Sequence, residues 1–333
     1  MKFITKLFII LLPIFMLGQA KVGTSAAPFL GIDVGASGSA LGGSQVAVAN
    51  DASAIYWNPG ATAQLENSRI QFSDTQWLVG TKFNFGAIVL KLSSSDALGF
   101  SYTSLDYGRE EVTDELHQEG AQSYWEASDL AVSINYARML TDRFSIGGTA
   151  KMIQTNIWHE SASAFALDIG VLFKTQLDGF QIGMSIANFG PDMMLDGPDL
   201  LKRIDLDPDN TGNNETLVAK LKVDSYPLPL FFRLGVAHQL KLGSFAELTV
   251  LADAFVPSDN VEVFNVGTEF SLYKILFLRA GLKNIGYEES NVENTFGAGV
   301  KFNVNQMDMM LNYSLQDYLF FGLIRTYSLE VSF

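Results

Sequence analysis

From about Asn67 to the end of the chain, apolar side chains recur at every second position. Phe165, Leu167, Ile169, Val171 and Phe173 alternate with Ala166, Asp168, Gly170, Leu172 and Lys174. Phe296, Ala298, Val300 and Phe302 alternate with Thr295, Gly297, Gly299 and Lys301, and Tyr327, Leu329, Val331 and Phe333 with Thr326, Ser328, Glu330 and Ser332. A period of two is the signature of extended strands with one apolar face and one small or polar face. The pattern predicts about fourteen strands, near 68–77, 80–93, 95–108, 122–140, 142–158, 162–175, 178–189, 226–241, 244–256, 260–272, 275–286, 291–303, 305–316 and 320–333. Many exceed the five or six residues usual in soluble sheets and reach the nine to eleven that cross a bilayer.

The connections sort by length. Tight turns such as Ser93-Ser94-Ser95-Asp96, Gln176-Leu177-Asp178-Gly179 and Asn303-Val304-Asn305-Gln306 occupy alternate positions. The other set contains the two long loops, near 108–122 and 190–225, although it also has short members near 78–80 and 317–319. Outer-membrane barrels place short turns in the periplasm and long loops outside, whereas a soluble sandwich has no reason to sort its loops. At the front, Lys2 and Lys6 precede the apolar run Leu7–Leu17, and Gly18-Gln19-Ala20 supplies small residues for a peptidase. That is the grammar of a secretory signal peptide, cleaved near Ala20. The apolar run is too short for a spanning helix. At the back, the chain ends on the aromatic Phe333, as the closing strand of outer-membrane proteins commonly does. The expected fold is an all-β, transmembrane antiparallel barrel over residues 67–333 in a bacterial outer membrane, with the lipid bilayer as its first partner.

Residues 21–66 break the alternation. Gly31, Gly35, Gly38, Gly42 and Gly43 crowd one stretch, and Val46-Ala47-Val48-Ala49-Asn50-Asp51-Ala52-Ser53-Ala54-Ile55-Tyr56-Trp57-Asn58-Pro59-Gly60 follows. Asp51 or Ser53 can cap a short helix that stops before Pro59. Small residues pack where space is tight, so this segment is expected to plug the lumen at the periplasmic end, with both termini on that side. The run resembles the N-terminal signature of the PorV/PorQ family, within the FadL-like superfamily of fourteen-stranded barrels. Gly60 stands where that family more often has Ala. The resemblance singles out Asn50, Asp51, Asn58, Pro59 and Gly60 as the candidate functional segment.

The chemistry of enzymes is sparse. With no Cys there is no disulfide, thiolate metal site or thiol nucleophile. His117, His159 and His238 share no ligand spacing, Ser39 breaks the resemblance of Gly35–Ser39 to a nucleophile elbow, and no nucleotide fingerprint appears. A net charge of −14 without a basic cluster excludes nucleic acid as a partner. The loop near 190–225 is acidic, and Asp199, Asp205, Asp207 and Asp209 are its candidate partner contacts. Asp205–Asn210 opens like a calcium loop, but Asn210 replaces the required Gly and Thr216 the distal Glu, so a solvated surface loop is the better reading. No cofactor is expected. Ser133, Asn135, Thr149, Lys151, Asp168 and Glu330 are expected to face the lumen, and Met184, Met193, Met194, Met307, Met309 and Met310 either line an adaptable pocket or face lipid. The resemblance implies a non-enzymatic component of type IX secretion that binds cargo or partner proteins through its outer loops. The alternative is a FadL-like channel for a hydrophobic small molecule, opened by movement of the plug. A continuous apolar tunnel favours the channel, and a closed, polar lumen favours the partner-binding role.

Overall fold

A computed structural model describes residues 22–48, 51–113, 115–120, 122–205, 217–305 and 307–333. The expected signal peptide, Asn50, Asp207 and Asp209 lie outside the described residues. Among the described residues, sixteen strands follow in chain order: β1 (Arg69–Gln76), β2 (Lys82–Lys91), β3 (Asp96–Glu111), β4 (Tyr124–Thr141), β5 (Phe144–Ile157), β6 (Glu160–Lys174), β7 (Phe180–Phe189), β8 (Leu201–Ile204), β9 (Leu217–Lys220), β10 (Phe231–Leu242), β11 (Ala246–Pro257), β12 (Val263–Leu272), β13 (Leu276–Ile285), β14 (Val292–Val304), β15 (Met307–Tyr318) and β16 (Gly322–Ser332). Fourteen of them close into one antiparallel barrel, with β1 paired to both β2 and β16. The remaining two, β8 and β9, form a separate hairpin inside the long loop after β7.

Strand β6 shows why the sequence closes this way. Its outward side chains are large and bare, with Phe165 at 70% and Ile169 at 58% exposure, while Ala162, Ala164, Ala166 and Asp168 on the other face are buried. A soluble sheet buries its large side chains, whereas a barrel in lipid turns them outward and fills its lumen with small and polar groups. The chain is therefore an outer-membrane barrel. A ten-residue strand such as β12 rises about 25 Å at the usual tilt, which matches the apolar band of such barrels.

The short turns gather at one end, where the Phe333 N–H donates to Ser68 O and Arg69 faces Ser332. Left-handed glycines make two of these turns possible, Gly179 at φ 74° and Gly243 at φ 71°. At the opposite end β3 to β6, with fourteen to eighteen residues each, rise above β1, which has eight. The loop from 190 to 230 leans on that taller wall. Ser161 and Asp196 exchange backbone hydrogen bonds of 2.8 and 2.9 Å there.

Candidate functional site: the lumen segment and the outer mouth

The N-terminal segment is expected at the periplasmic end of the lumen with its start on that side, but it enters from the long-loop end. The Ala26 N–H donates to Pro227 O at 2.8 Å, and the Ser25 hydroxyl bonds Asp259 in the loop after β11. A turn at Pro28–Gly31 then sends Phe29, Leu30 and Ile32 down the lumen, where they join a core with Phe83, Phe85 and Ile153 of the wall and Leu228 of the long loop above. The reason is hydrophobic: the upper inner wall carries apolar side chains, and this segment offers matching ones.

Below that core the segment turns into a polar, tightly fitted floor. Helix α1 (Ala36–Ala40) lies against β14 and β15, and the Thr295 hydroxyl donates to Ala40 O at 2.9 Å. The Val46 N–H donates to Asp253 at 3.0 Å, and Lys283 and Gln316 bind Asp33 at 2.5 and 3.0 Å. Helix α2 (Ala54–Trp57) starts after Ser53 and stops before Asn58, whose backbone is extended (φ −155°, ψ 101°). The N-cap residue Ser53 makes no side-chain cap hydrogen bond; Asp51 instead holds the turn ahead of the helix, its carboxylate accepting from the Ser53 N–H at 2.9 Å and from the Ser37 hydroxyl at 2.9 Å. Glu330 accepts from the Ala52 N–H at 2.9 Å and pairs with Arg69 at 2.6 Å.

Asn58 is the rivet of this floor. It is fully buried, its amide donates at 2.8 Å to both Val46 O and Val171 O, and its carbonyl oxygen accepts from the Gly60 N–H at 3.1 Å. One side chain thus ties the two halves of the segment to β6. Pro59 opens the 3-10 turn Pro59–Gln64, where its absent N–H costs nothing. A Cβ on Gly60 would strike the Gly170 carbonyl of β6, so the glycine at this position permits backbone to meet backbone. Inward glycines of the wall do the same from the other side. A Cβ on Gly147, Gly170, Gly183, Gly267, Gly281 or Gly297 would stand closer than 3.0 Å to the segment.

Beneath the floor, a vestibule of about 410 Å³ opens toward the short turns. Charged side chains line it, among them Asp51, Arg69, Lys174, Glu269, Arg279 and Glu330, and Arg279 pairs with Glu269 at 2.6 Å. Asn135, Thr149, Lys151, Asp168 and Glu330 face inward and are buried, and Ser133 bonds Ser101 across the lumen face. The methionines divide: Met193 is buried in the core, Met309 and Met310 line the vestibule, and Met184 and Met307 are exposed on the wall.

At the outer mouth, Asp199 meets His159 at 2.9 Å, and its N–H donates to Glu160 at 2.7 Å. Lys220 of β9 donates to Asp196 at 2.6 Å, which holds the Asp196 carboxyl below its ordinary pKa. Asp205 ends the described part of that loop before the hairpin tip. Among the described residues no cluster of three or more His, Cys, Asp or Glu side chains is placed to hold a metal ion. The hairpin β8–β9 has no counterpart among the expected strands. It presents Leu201, Leu217 and Val218 to solvent, with Val218 58% exposed.

Comparison with known proteins places this architecture. The family model described as type IX secretion system protein PorV matches residues 16–200 of the 333. No curated protein sequence matches the chain significantly. Among solved structures, the monoaromatic hydrocarbon channel CymD superposes with a TM-score of 0.58 at 11% identity, covering 90% of this chain and 97% of its own. A FadL homologue of Pseudomonas aeruginosa gives 0.54 at 12% identity, covering 90% and 98%. The toluene transporter TbuX of Ralstonia pickettii gives 0.54 at 13% identity, also covering 90% and 98%. At these identities the likeness is one of fold.

Proposed function

Because this chain belongs to the PorV family of type IX secretion system proteins, we propose that it is a non-enzymatic outer-membrane component that binds cargo or partner proteins at its outer loops. The carrying observation is the filled lumen. Phe29, Leu30 and Ile32 occupy the upper half, and the riveted floor around Asn58 and Gly60 closes the middle. The remaining vestibule is polar. What is left as a recognition surface is the mouth: the hairpin β8–β9 with its exposed Leu217 and Val218, together with the acidic residues Asp199, Asp205, Asp207 and Asp209 of the same loop. Apolar patches with a polar rim on a surface outside the bilayer suit protein contact. Affinity purification from native membranes tests this reading. It expects secretion components or cargo to co-purify, and recovery of the barrel alone overturns it.

A second reading has one observation in its favour. The upper lumen is an apolar pocket whose occupant is the chain's own Phe29–Ile32. Withdrawal of that segment would leave room for a hydrophobic small molecule, and CymD, which shares the fold, is a monoaromatic hydrocarbon channel. Uptake of toluene by liposomes carrying the purified protein, above that of empty liposomes, would favour this reading.

A further inference from the structure

The hairpin at the outer mouth is an unfinished sheet. Strands β8 and β9 pair with each other, four residues against four, and neither joins the barrel. Among the described residues no backbone bond from elsewhere reaches either strand. The Leu221 N–H donates to Leu200 O at 2.8 Å, so the bonded pairs that follow in this ladder are Lys202–Ala219 and Ile204–Leu217. Leu201 and Arg203 therefore turn their N–H and C=O groups to the open edge of β8, as Val218 and Lys220 do on β9. Such an edge is a template for another strand. The side chains are uncovered as well. Leu201, Arg203, Val218 and Lys220 share one face, and Lys202, Ile204, Leu217 and Ala219 share the other. Leu201 and Val218 are exposed on the first face, Ile204 and Leu217 on the second. A two-stranded hairpin is marginal alone, and a third strand completes it.

The stem of this hairpin is the basic part of an otherwise acidic loop. Residues 200–204 and 217–222 hold Lys202, Arg203, Lys220 and Lys222 and no Asp or Glu. Two of the four cations are met from within the loop, Lys220 by Asp196 at 2.6 Å and Lys222 by Asp224 at 3.4 Å. The other two, Lys202 and Arg203 of β8, form no ion pair among the described residues. We propose that the open edge of β8 takes up an extended, acidic segment of a partner protein as a third strand. Its carboxylates meet Lys202 on one face and Arg203 on the other. Backbone bonds to Leu201 and Arg203 supply the attachment, and the two cations select the charge. The distribution of side chains decides against anionic lipid head groups as the occupant. An element that lies on a membrane gathers its apolar side chains on one face, whereas this hairpin carries apolar and basic residues on both.

A third strand at β8 rests on the reading of the outer mouth as a protein-binding surface, and it specifies the kind of segment bound there. The test places a photo-crosslinking amino acid at Leu201, which keeps all four cations, in native-host cells that make the full chain. The expected result is a discrete adduct to another protein, with mass spectrometry mapping the joined peptide to a segment richer in Asp and Glu than in Lys and Arg. Arg203→Pro removes an N–H from the open edge of β8 but none of the β8–β9 bonds, and it should reduce the adduct about tenfold or more. Val218→Pro does the same to the open edge of β9 and should leave the adduct unchanged, which separates loss of the edge from loss of the hairpin. Arg203→Glu keeps the N–H, repels an acidic strand and should reduce the adduct about tenfold as well. An adduct to lipid alone, to a second copy of this chain, or to a segment without an acidic excess overturns the proposal. So does equal loss from the two prolines, or no adduct at all. A protein adduct indifferent to both prolines overturns strand addition and leaves the outer mouth as a protein-binding surface. Normal cargo attachment by a barrel without the hairpin overturns the cargo reading itself.

Discussion

Replacing Asn58 by Ala removes the rivet without touching the barrel wall. The substitution deletes two amide donations of 2.8 Å, to Val46 O and Val171 O, and one acceptance of 3.1 Å from the Gly60 N–H. Each such bond contributes about 0.5–1.5 kcal/mol net, and buried groups left without partners add to the loss. The segment from Val46 to Gly60 therefore loses about 2–4 kcal/mol of local stability. In exchange experiments that loss multiplies the opening population by about 30 to 900. The assay is amide hydrogen exchange of the protein in lipid vesicles, read peptide by peptide. Peptides covering residues 51–60 should exchange faster by that factor, and the paired strands β11 and β12 should exchange as before. Asn58→Asp should be more disruptive, since a carboxylate would then face two carbonyl oxygens. Unchanged exchange at residues 51–60 in Asn58→Ala would refute the assignment of Asn58 as the anchor.

Other outcomes follow from the same geometry. Gly60→Ala or Gly170→Ala forces a methyl group into backbone contact and should cost about 1–3 kcal/mol, measured as a lowered unfolding midpoint of the vesicle-bound barrel. The Asp196–Lys220 contact makes hairpin docking pH-dependent. The Asp196 carboxyl titrates below its ordinary value, so the contact holds above about pH 4 and is lost as pH falls through the lower, folded-state value. Limited proteolysis near Leu221 should accordingly rise at low pH in the wild type, and Asp196→Asn should show that higher rate already at neutral pH. Phe29→Ala removes a ring that is 1% exposed from the upper lumen and should cost about 3–5 kcal/mol of local packing, seen as faster exchange at residues 26–34 with the barrel intact.

The barrel was legible because its period is long and strict. Strand β6, expected over 162–175, runs Glu160–Lys174, and β12, expected over 260–272, runs Val263–Leu272. The helix expected before Pro59 is there, but the expected side-chain cap is not: Ser53 makes no cap hydrogen bond, and Asp51 binds the Ser53 N–H ahead of the helix. What escaped the sequence is whatever depends on the third dimension. Strands of four residues, such as Leu201–Ile204, are too short to show a period. The route of residues 25–34 past Pro227 and Asp259 depends on which wall positions are apolar at that height, and barrel shear sets that. The glycines of the wall were visible one by one in the alternation, but their meeting with Asn58, Pro59 and Val46 was not.

The claim that the outer mouth receives proteins is tested most directly by excising the hairpin. A variant in which a short Gly-Ser turn replaces residues 201–220 keeps every barrel strand, since β8 and β9 pair with each other and not with the wall. In the native host, the account predicts that this variant reaches the outer membrane and folds, while surface attachment of type IX cargo falls sharply. Normal attachment of cargo by the hairpin-less barrel would contradict it.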